Sequence, residues 1–189
     1  MNKISKYSMP KLLLPIPHRA EQLLPHKKRM CCIDNLIALH DQEAVAEVFL
    51  HPEHILLNGE GMLDRCGFIE LAAQTAGVLH AAKMDPSGAA PRLAMLTGVQ
   101  NFIVHADAFA GDKLNIYVSI IGEIVDMSSL LFSIGRGDEL LAEGRLKVFM
   151  PESESIMPNC SFISGVTCLT ALWYTDISQL FTPYPCLLP

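Results

Sequence analysis

The pattern of hydrophobic and polar positions is clearest between residues 64 and 83, where it has the period of a helix. Apolar residues recur there at intervals of three and four, which places them on one helix face. Asp64 precedes this stretch and is placed to cap the first turn, and residues 84–88 end the pattern. Nearly every position is small or apolar, so we expect a long helix over residues 65–83 that is buried on most sides. The apolar positions of its face are Ile69, Ala72, Ala73, Ala76 and Leu79.

Extended apolar runs, several with a period of two, lie on both sides of this helix and predict strands. Residues 30–39 and 43–51 are two such runs separated by a short polar turn, and we expect them to pair as a hairpin. The links between the later strands are also short, which requires antiparallel pairing. We therefore predict an α+β protein in which an antiparallel sheet wraps around one central helix. The later strands are predicted at residues 93–104, 113–120, 128–135 and 145–150.

Composition divides the chain into three parts. Residues 1–22 are rich in proline and predict an irregular N-terminal arm, whereas residues 23–151 carry the periodic patterns of the domain. Residues 152–189 form a C-terminal tail of different composition, with Asp176 as the one charged residue after Ser155. The tail shows no clean period, and the sequence leaves open whether it packs on the domain, packs on a partner or is poorly ordered.

The charge and cysteine content excludes several function classes. The net charge is −6 and there is no basic block, which argues against nucleic-acid binding. Apolar runs stay below the 18 or so residues of a membrane span. The six cysteines include no Cys-x-x-Cys pair, so we expect no structural metal and reduced thiols in a cytoplasmic protein. A phosphate-binding loop is also missing, and we expect no cofactor.

One ionisable residue, Glu70, lies within the apolar surface of the predicted helix, and Gln74 follows one turn later. A buried carboxyl is costly unless it is neutral or hydrogen-bonded, so its position needs a reason. Either Gln74 satisfies a structural Glu70, or Glu70 is the acid of an active site. Both interpretations remain open at this level.

Four motifs, in order, resemble those of the hot-dog-fold 3-hydroxyacyl-(acyl-carrier-protein) dehydratases of fatty-acid and polyketide synthesis. The resemblance covers residues 23–150, about two thirds of the chain. It implies the hot-dog fold, with acyl carrier protein as a partner and either a homodimer or a hetero-oligomer with another hot-dog subunit. The motifs are Leu23-Leu24-Pro25-His26, Glu70-Leu71-Ala72-Ala73-Gln74, Ala110-Gly111-Asp112 and Ala142-Glu143-Gly144.

The resemblance also implies roles for the helix residues. In that family a histidine removes the proton alpha to the thioester carbonyl, and a carboxylic acid on the helix protonates the leaving beta hydroxyl. Glu70 then corresponds to the acid and Gln74 to the residue that orients it. An apolar tunnel suits this acid, because desolvation disfavours the charged form of a carboxyl. A backbone N–H at the helix start would polarise the thioester oxygen.

The chain departs from the family at the histidine. Asn58 and Gly59 stand where the family carries its Gly-His pair, and Gly67 lies three residues before Glu70, where the family places a glycine five before. Asn58, Gly59 and Gly67 are the predicted substrate-binding residues. His54 is the predicted base, since an imidazole titrates near neutral pH. In the other interpretation His54 is an ordinary loop residue. His51 is the other loop imidazole before the helix, whereas His26, His80 and His105 are interpreted as structural.

Three functions fit these residues. The first is dehydration of 3-hydroxyacyl thioesters carried on acyl carrier protein. The second is a non-catalytic hot-dog subunit that binds acyl carrier protein or an active dehydratase partner. The third is an acyl thioesterase that uses Glu70 to activate water. Turnover of a 3-hydroxyacyl thioester separates the first from the second, and release of free thiol identifies the third.

Overall fold

Antiparallel strands and one long helix make up residues 15–83 and 94–150, which are the residues that the computed structural model describes. The predicted helix end at residues 84–88, the tail at 152–189 and most of the N-terminal arm lie outside these residues. The elements are β1 (His18–Arg19), α1 (Ala20–Leu23), a 3₁₀ turn (Lys28–Met30), β2 (Asn35–Leu39), β3 (Glu43–Phe49), α2 (Arg65–Lys83), β4 (Met95–Val104), β5 (Lys113–Ile124), β6 (Met127–Arg136) and β7 (Glu139–Phe149).

The described strands form one antiparallel sheet in the order β1-β2-β3-β5-β6-β7-β4. The predicted hairpin is confirmed, because β2 pairs with β3 across the short turn, with Leu39 opposite Ala44. β5, β6 and β7 follow one another as a meander. β4 follows α2 in the described chain and lies at the edge of the sheet beside β7.

The sheet curves around α2 and buries it, as the pattern of apolar residues predicts. On β5, the buried Leu114 and Ile116 alternate with the more exposed Lys113 and Asn115, which is the period of a strand with one face in the core. α2 contacts β3, β5 and β6, and its Leu71 is fully buried among them. Burial of each such leucine or isoleucine stabilises the fold by roughly 2 kcal/mol.

The edge strand β4 is less regular than the others. Its pairing with β7 shifts register between Leu96 and Gly98, as a glycine within a strand favours, and again between Gln100 and Ile103. Asn101 in the second shift has a φ of 50°, a conformation that asparagine tolerates better than most residues. Among the described strands β4 pairs with β7 alone, so its other edge is unpaired. No helix in the described residues is long and apolar enough to span a membrane.

Candidate active site

The first turn of α2 is fixed by Asp64. Its Oδ1 accepts a hydrogen bond from the N–H of Cys66 at 2.8 Å, which is the predicted cap. One turn further on, Glu70 is only half-buried, although its neighbours Leu71 and Ala72 on the helix are fully buried. The carboxyl therefore lies at the border between the face that the sheet covers and the face that it does not.

Gln74 holds Glu70 in a defined orientation. Its amide nitrogen donates to Glu70 Oε1 at 2.7 Å and to the carbonyl of Met30 at 2.9 Å. Its amide oxygen accepts from the N–H of Cys32 at 2.8 Å, which fixes which end of the amide faces Glu70. Gln74 is only 2% exposed, so water does not compete strongly for these bonds.

The two carboxyl oxygens of Glu70 differ in their hydrogen bonding. Oε1 accepts from Gln74, whereas Oε2 makes no hydrogen bond to a described residue. A proton carried by Glu70 would therefore sit on Oε2, because Oε1 already faces an N–H donor. The oxygen that can give a proton is thus the one without a protein partner within residues 15–83 and 94–150.

His54 contacts the carbonyl of Cys32, whereas Gln74 contacts the N–H of the same residue. Its Nε2 donates to the carbonyl of Cys32 at 3.1 Å, and the N–H of Leu56 points at Nδ1 at 3.4 Å. Both contacts fit the neutral tautomer with its proton on Nε2, which leaves Nδ1 as the basic nitrogen. His54 and Gln74 are therefore linked through the backbone of Cys32, but no hydrogen bond joins His54 to Glu70 in the described residues.

The two residues that replace the expected Gly-His pair lie in the loop before α2. Asn58 accepts hydrogen bonds through Oδ1 from the N–H groups of Glu60 and Met62, each at 3.0 Å, so its side chain closes this loop. Gly59 is exposed, and no other atom lies within 4 Å of where its Cβ would be. Their role in substrate binding stays a prediction.

Gly67 is buried in the first turn of α2. A Cβ there would lie 2.7 Å from Cδ1 of Leu63 and 3.3 Å from Cβ of Leu56, so glycine lets the loop pack closely on the helix. Its N–H donates to the carbonyl of Asp64 at 2.8 Å. Gly67 thus has a packing role, and its contact with substrate also stays a prediction.

His26 is the residue near Glu70 that sequence reasoning passed over as structural. It is 8% exposed, and neither ring nitrogen has a hydrogen-bond partner in the described chain. Burial lowers the pKa of His26, whereas the charge of Glu70 raises it and that of Lys27 lowers it further. The signal that could have found it is its position in the Leu23–His26 motif, which the structure places against α2.

Cysteine thiols beside the site are uncharged at neutral pH. Burial raises the pKa of Cys32 to about 12, and the charge of Glu70 adds to this rise. Burial also raises the pKa of Cys31. Among the described residues, no three His, Cys, Asp or Glu side chains are grouped as metal ligands.

Several solved structures share this architecture. A chain of the dehydratase heterocomplex ApeI:P from Xenorhabdus doucetiae is similar with a TM-score of 0.67 and 22% identity, over 75% of this chain and 95% of that one. PH1136 from Pyrococcus horikoshii is similar with a TM-score of 0.54 and 17% identity, over 76% of this chain and 98% of that one. The PaaI protein of E. coli is similar with a TM-score of 0.50 and 17% identity, over 60% of this chain and 80% of that one. At these identities the likeness shows the fold, which is the expected hot-dog fold.

Sequence comparison adds the family. A search of the curated proteins found no match. The family model of the ApeP-like dehydratases, described as ApeP dehydratase, matches residues 18–158, well over half of the 189 residues. This range includes Glu70, Gln74 and the Leu23–His26 motif, on which the resemblance to hot-dog dehydratases rests. The chain therefore belongs to the ApeP-like dehydratase family.

Proposed function

We propose that this chain dehydrates 3-hydroxyacyl thioesters carried on acyl carrier protein, in polyketide-type or fatty-acid synthesis. The observation that carries this proposal is the geometry of Glu70. Gln74 holds one carboxyl oxygen at 2.7 Å, while the other oxygen has no partner among the described residues. This is the arrangement that a general acid needs, because the proton is held towards the substrate and not towards the protein.

In the proposed reaction a base removes the proton on the alpha carbon of the thioester. Glu70 gives its proton to the beta hydroxyl, the carbon–oxygen bond breaks with its electron pair, and water leaves. A double bond forms between the alpha and beta carbons, and Glu70 remains as a carboxylate. Gln74 keeps Glu70 aligned during this transfer, since its own position is fixed by Met30 and Cys32.

We propose His54 as the base of this reaction. Its acceptor nitrogen is Nδ1, which accepts a long hydrogen bond of 3.4 Å from the N–H of Leu56. Asn58 and Gly59 follow His54 in the same loop, and Gly67 lies at the start of α2. We propose that these three residues line the surface that binds the thioester.

We also propose that the chain works in a complex with another hot-dog subunit. The unpaired edge of β4 supports this, because exposed strand edges favour pairing with another chain. The similar structure from Xenorhabdus doucetiae is a heterocomplex, ApeI:P. A twofold homodimer through the same edge is the other assembly that this edge permits.

A specific observation favours a second candidate function, that of a non-catalytic partner subunit. No imidazole in the described residues is hydrogen-bonded to Glu70. Nε2 of the predicted base His54 donates instead to the carbonyl of Cys32. In that case the chain would stabilise or position an active dehydratase subunit. Activity measurements on the chain alone and on the complex separate the two functions.

The test uses a 3-hydroxyacyl group on acyl carrier protein and follows its conversion to the enoyl form by mass spectrometry. We expect dehydration by the chain combined with a partner subunit of the ApeI:P type, with light scattering to show a complex larger than a monomer. A catalytic role predicts that Glu70→Gln in this chain slows the complex. A non-catalytic role predicts that Glu70→Gln leaves the rate of the complex unchanged. If neither the chain nor the complex dehydrates the substrate, the proposed function is wrong.

A further inference from the structure

A row of apolar side chains crosses one end of the sheet. Ile124 of β5 lies opposite Met127 of β6, and Met127 lies opposite Phe149 of β7. Phe149 in turn lies opposite Met95 of β4. Residues directly opposite each other lie on the same face of a sheet, so these four side chains form one apolar row across four strands. Val148, next to Phe149 on β7, belongs to the hydrophobic core, so the apolar row lies on the face that points away from the core.

The apolar row is most exposed where β5 turns into β6. Ile124 is 78% exposed there, and the turn residue Val125 is 93% exposed. Val125 also has a φ of 51°, a left-handed conformation that is a genuine outlier for a β-branched residue. Glycine or asparagine would suit both this conformation and contact with water. The valine therefore needs another reason, and burial against an apolar segment from outside the sheet supplies one.

A buried acceptor without a partner lies at the same turn. Oδ1 of Asp126 is buried, and no group within residues 15–83 and 94–150 donates a hydrogen bond to it. The backbone carbonyl of Asp126 accepts from the N–H of Met150 at 2.7 Å. The chain therefore leaves the described domain at this turn. Since buried acceptors are normally satisfied, the N–H groups that follow Met150 are the donors nearest in sequence for Oδ1.

The residues that follow Met150 have the composition that such a surface needs. Residues 151–155 are Pro-Glu-Ser-Glu-Ser, whereas residues 156–189 are rich in apolar side chains and hold one charged residue, Asp176. Exposure of so much apolar surface to water is unfavourable. Four strands about 4.8 Å apart make the apolar row roughly 14 Å long, which about five extended residues span. The apolar part of the tail is therefore long enough to cover the apolar row after a short polar link.

We propose that residues 156–189 of the same chain dock on the apolar row and on Val125. Trp173 has the largest apolar side chain of this segment and is buried in the contact. Continuity favours this occupant over a second protein, because Phe149 of the apolar row is two residues before the tail begins. Residues 159–189 lie beyond the match to the family model, so this docking is an addition to the hot-dog domain. It does not depend on the proposed dehydration.

The first test uses the fluorescence of Trp173, the only tryptophan among the 189 residues. Relative to the chain unfolded in denaturant, we expect the full-length wild type to emit at shorter wavelength and to be quenched less by acrylamide. The double variant Ile124→Ser with Val125→Asn should emit at longer wavelength and be quenched more, because the apolar surface under Trp173 is lost. Ile103→Ser is the matched control, since Ile103 is 49% exposed on β4 outside the apolar row and should leave the emission unchanged.

The second test identifies the occupant by photo-cross-linking. The photoreactive residue p-benzoylphenylalanine replaces Val125 in the full-length chain, and the cross-linked peptides are identified by mass spectrometry after digestion. A mixture of ¹⁴N-labelled and ¹⁵N-labelled chains separates contacts within one chain from contacts between chains. We expect cross-links from position 125 to peptides of residues 156–189, with the same isotope in both halves. The same photoreactive residue in place of Ile103 should give no cross-link to these peptides.

Three other outcomes would overturn the inference. Cross-linked pairs that carry both isotopes would assign the apolar row to a second copy of the chain. Cross-links that form only after another hot-dog subunit is added would assign it to a partner. An emission of Trp173 that is the same in the wild type and in the double variant would show that the tail does not cover the apolar row. None of these results bears on dehydration, which the Glu70→Gln measurement tests separately.

Discussion

At the scale of single residues, the amide of Gln74 connects Glu70 to the rest of the fold. It makes three hydrogen bonds, to Glu70, to the carbonyl of Met30 and from the N–H of Cys32. The bond to Glu70 follows from their spacing of four residues on a helix, and the sequence predicts it. The bonds to Met30 and Cys32 join groups more than 40 residues apart in the chain. No local pattern predicts them, because they depend on how residues 24–32 dock on α2.

Replacement of Gln74 by alanine tests this connection. Gln74→Ala leaves the buried N–H of Cys32 without a partner and removes one of the donors to the carbonyl of Met30, so we expect a loss of roughly 1–3 kcal/mol in the free energy of unfolding. Denaturant unfolding measures it. Gln100→Ala on β4 is the matched control, because Gln100 is exposed and should change stability by less than about 0.5 kcal/mol. Equal effects of the two substitutions would show that the bonds of Gln74 do not hold the segment on the helix.

The histidines show where residue-level reasoning stops. The loss of the Gly-His pair is visible in sequence, as Asn58 and Gly59. The side-chain oxygen of Asn58, however, closes its own loop through Glu60 and Met62, which only the folded loop reveals. The burial of His26 is equally invisible to local patterns, because it depends on how residues 24–32 pack in the folded chain.

At the scale of elements, the long helix is the best-predicted part of the chain. Its predicted range, residues 65–83, agrees with α2 as described, Arg65–Lys83, and its Asp64 cap is confirmed. A cap and a sustained period are local signals, so sequence suffices for them. The second register shift of β4 is not predicted, because it depends on how β4 pairs with β7. The two-residue strand β1 is also missed, since it has no pattern of its own.

Gly144 on β7 leads to a prediction about packing between strands. An added Cβ there would lie 2.8 Å from Cε1 of Phe132 and 3.2 Å from Cα of Phe102. Phe132 is buried and cannot move aside freely. We therefore expect Gly144→Ala to destabilise the chain by about 1–3 kcal/mol, as overpacked cores do.

Two further variants make this prediction specific. Gly98→Ala on β4 is the control, because no atom lies within 4 Å of its added Cβ, and the midpoint of thermal unfolding should barely change. The double variant Gly144→Ala with Phe132→Leu should show a favourable coupling energy in a double-mutant cycle, since the smaller side chain makes room. Strictly additive effects would mean that the two residues do not compete for this space.

At the scale of the whole molecule, the hot-dog sheet explains why α2 can be apolar along most of its length and still carry Glu70. The sheet covers the face of α2 that includes Leu71, while Glu70 remains at the uncovered border. The family follows from the match of its model over residues 18–158. The substrate, the base and the assembly stay proposals, because they depend on a bound thioester and a second subunit. The free edge of β4 is where we propose that this subunit joins.

The most direct measurement of the central claim is the dehydration rate of the assembly with Glu70→Gln. This change keeps the volume and the hydrogen bonding of the side chain but removes the transferable proton. We expect the rate to fall roughly 10²- to 10⁴-fold, the usual contribution of a general acid. Glu143→Gln, on the exposed side of β7, should keep the wild-type rate. A wild-type rate in Glu70→Gln would contradict the assignment of Glu70 as the acid.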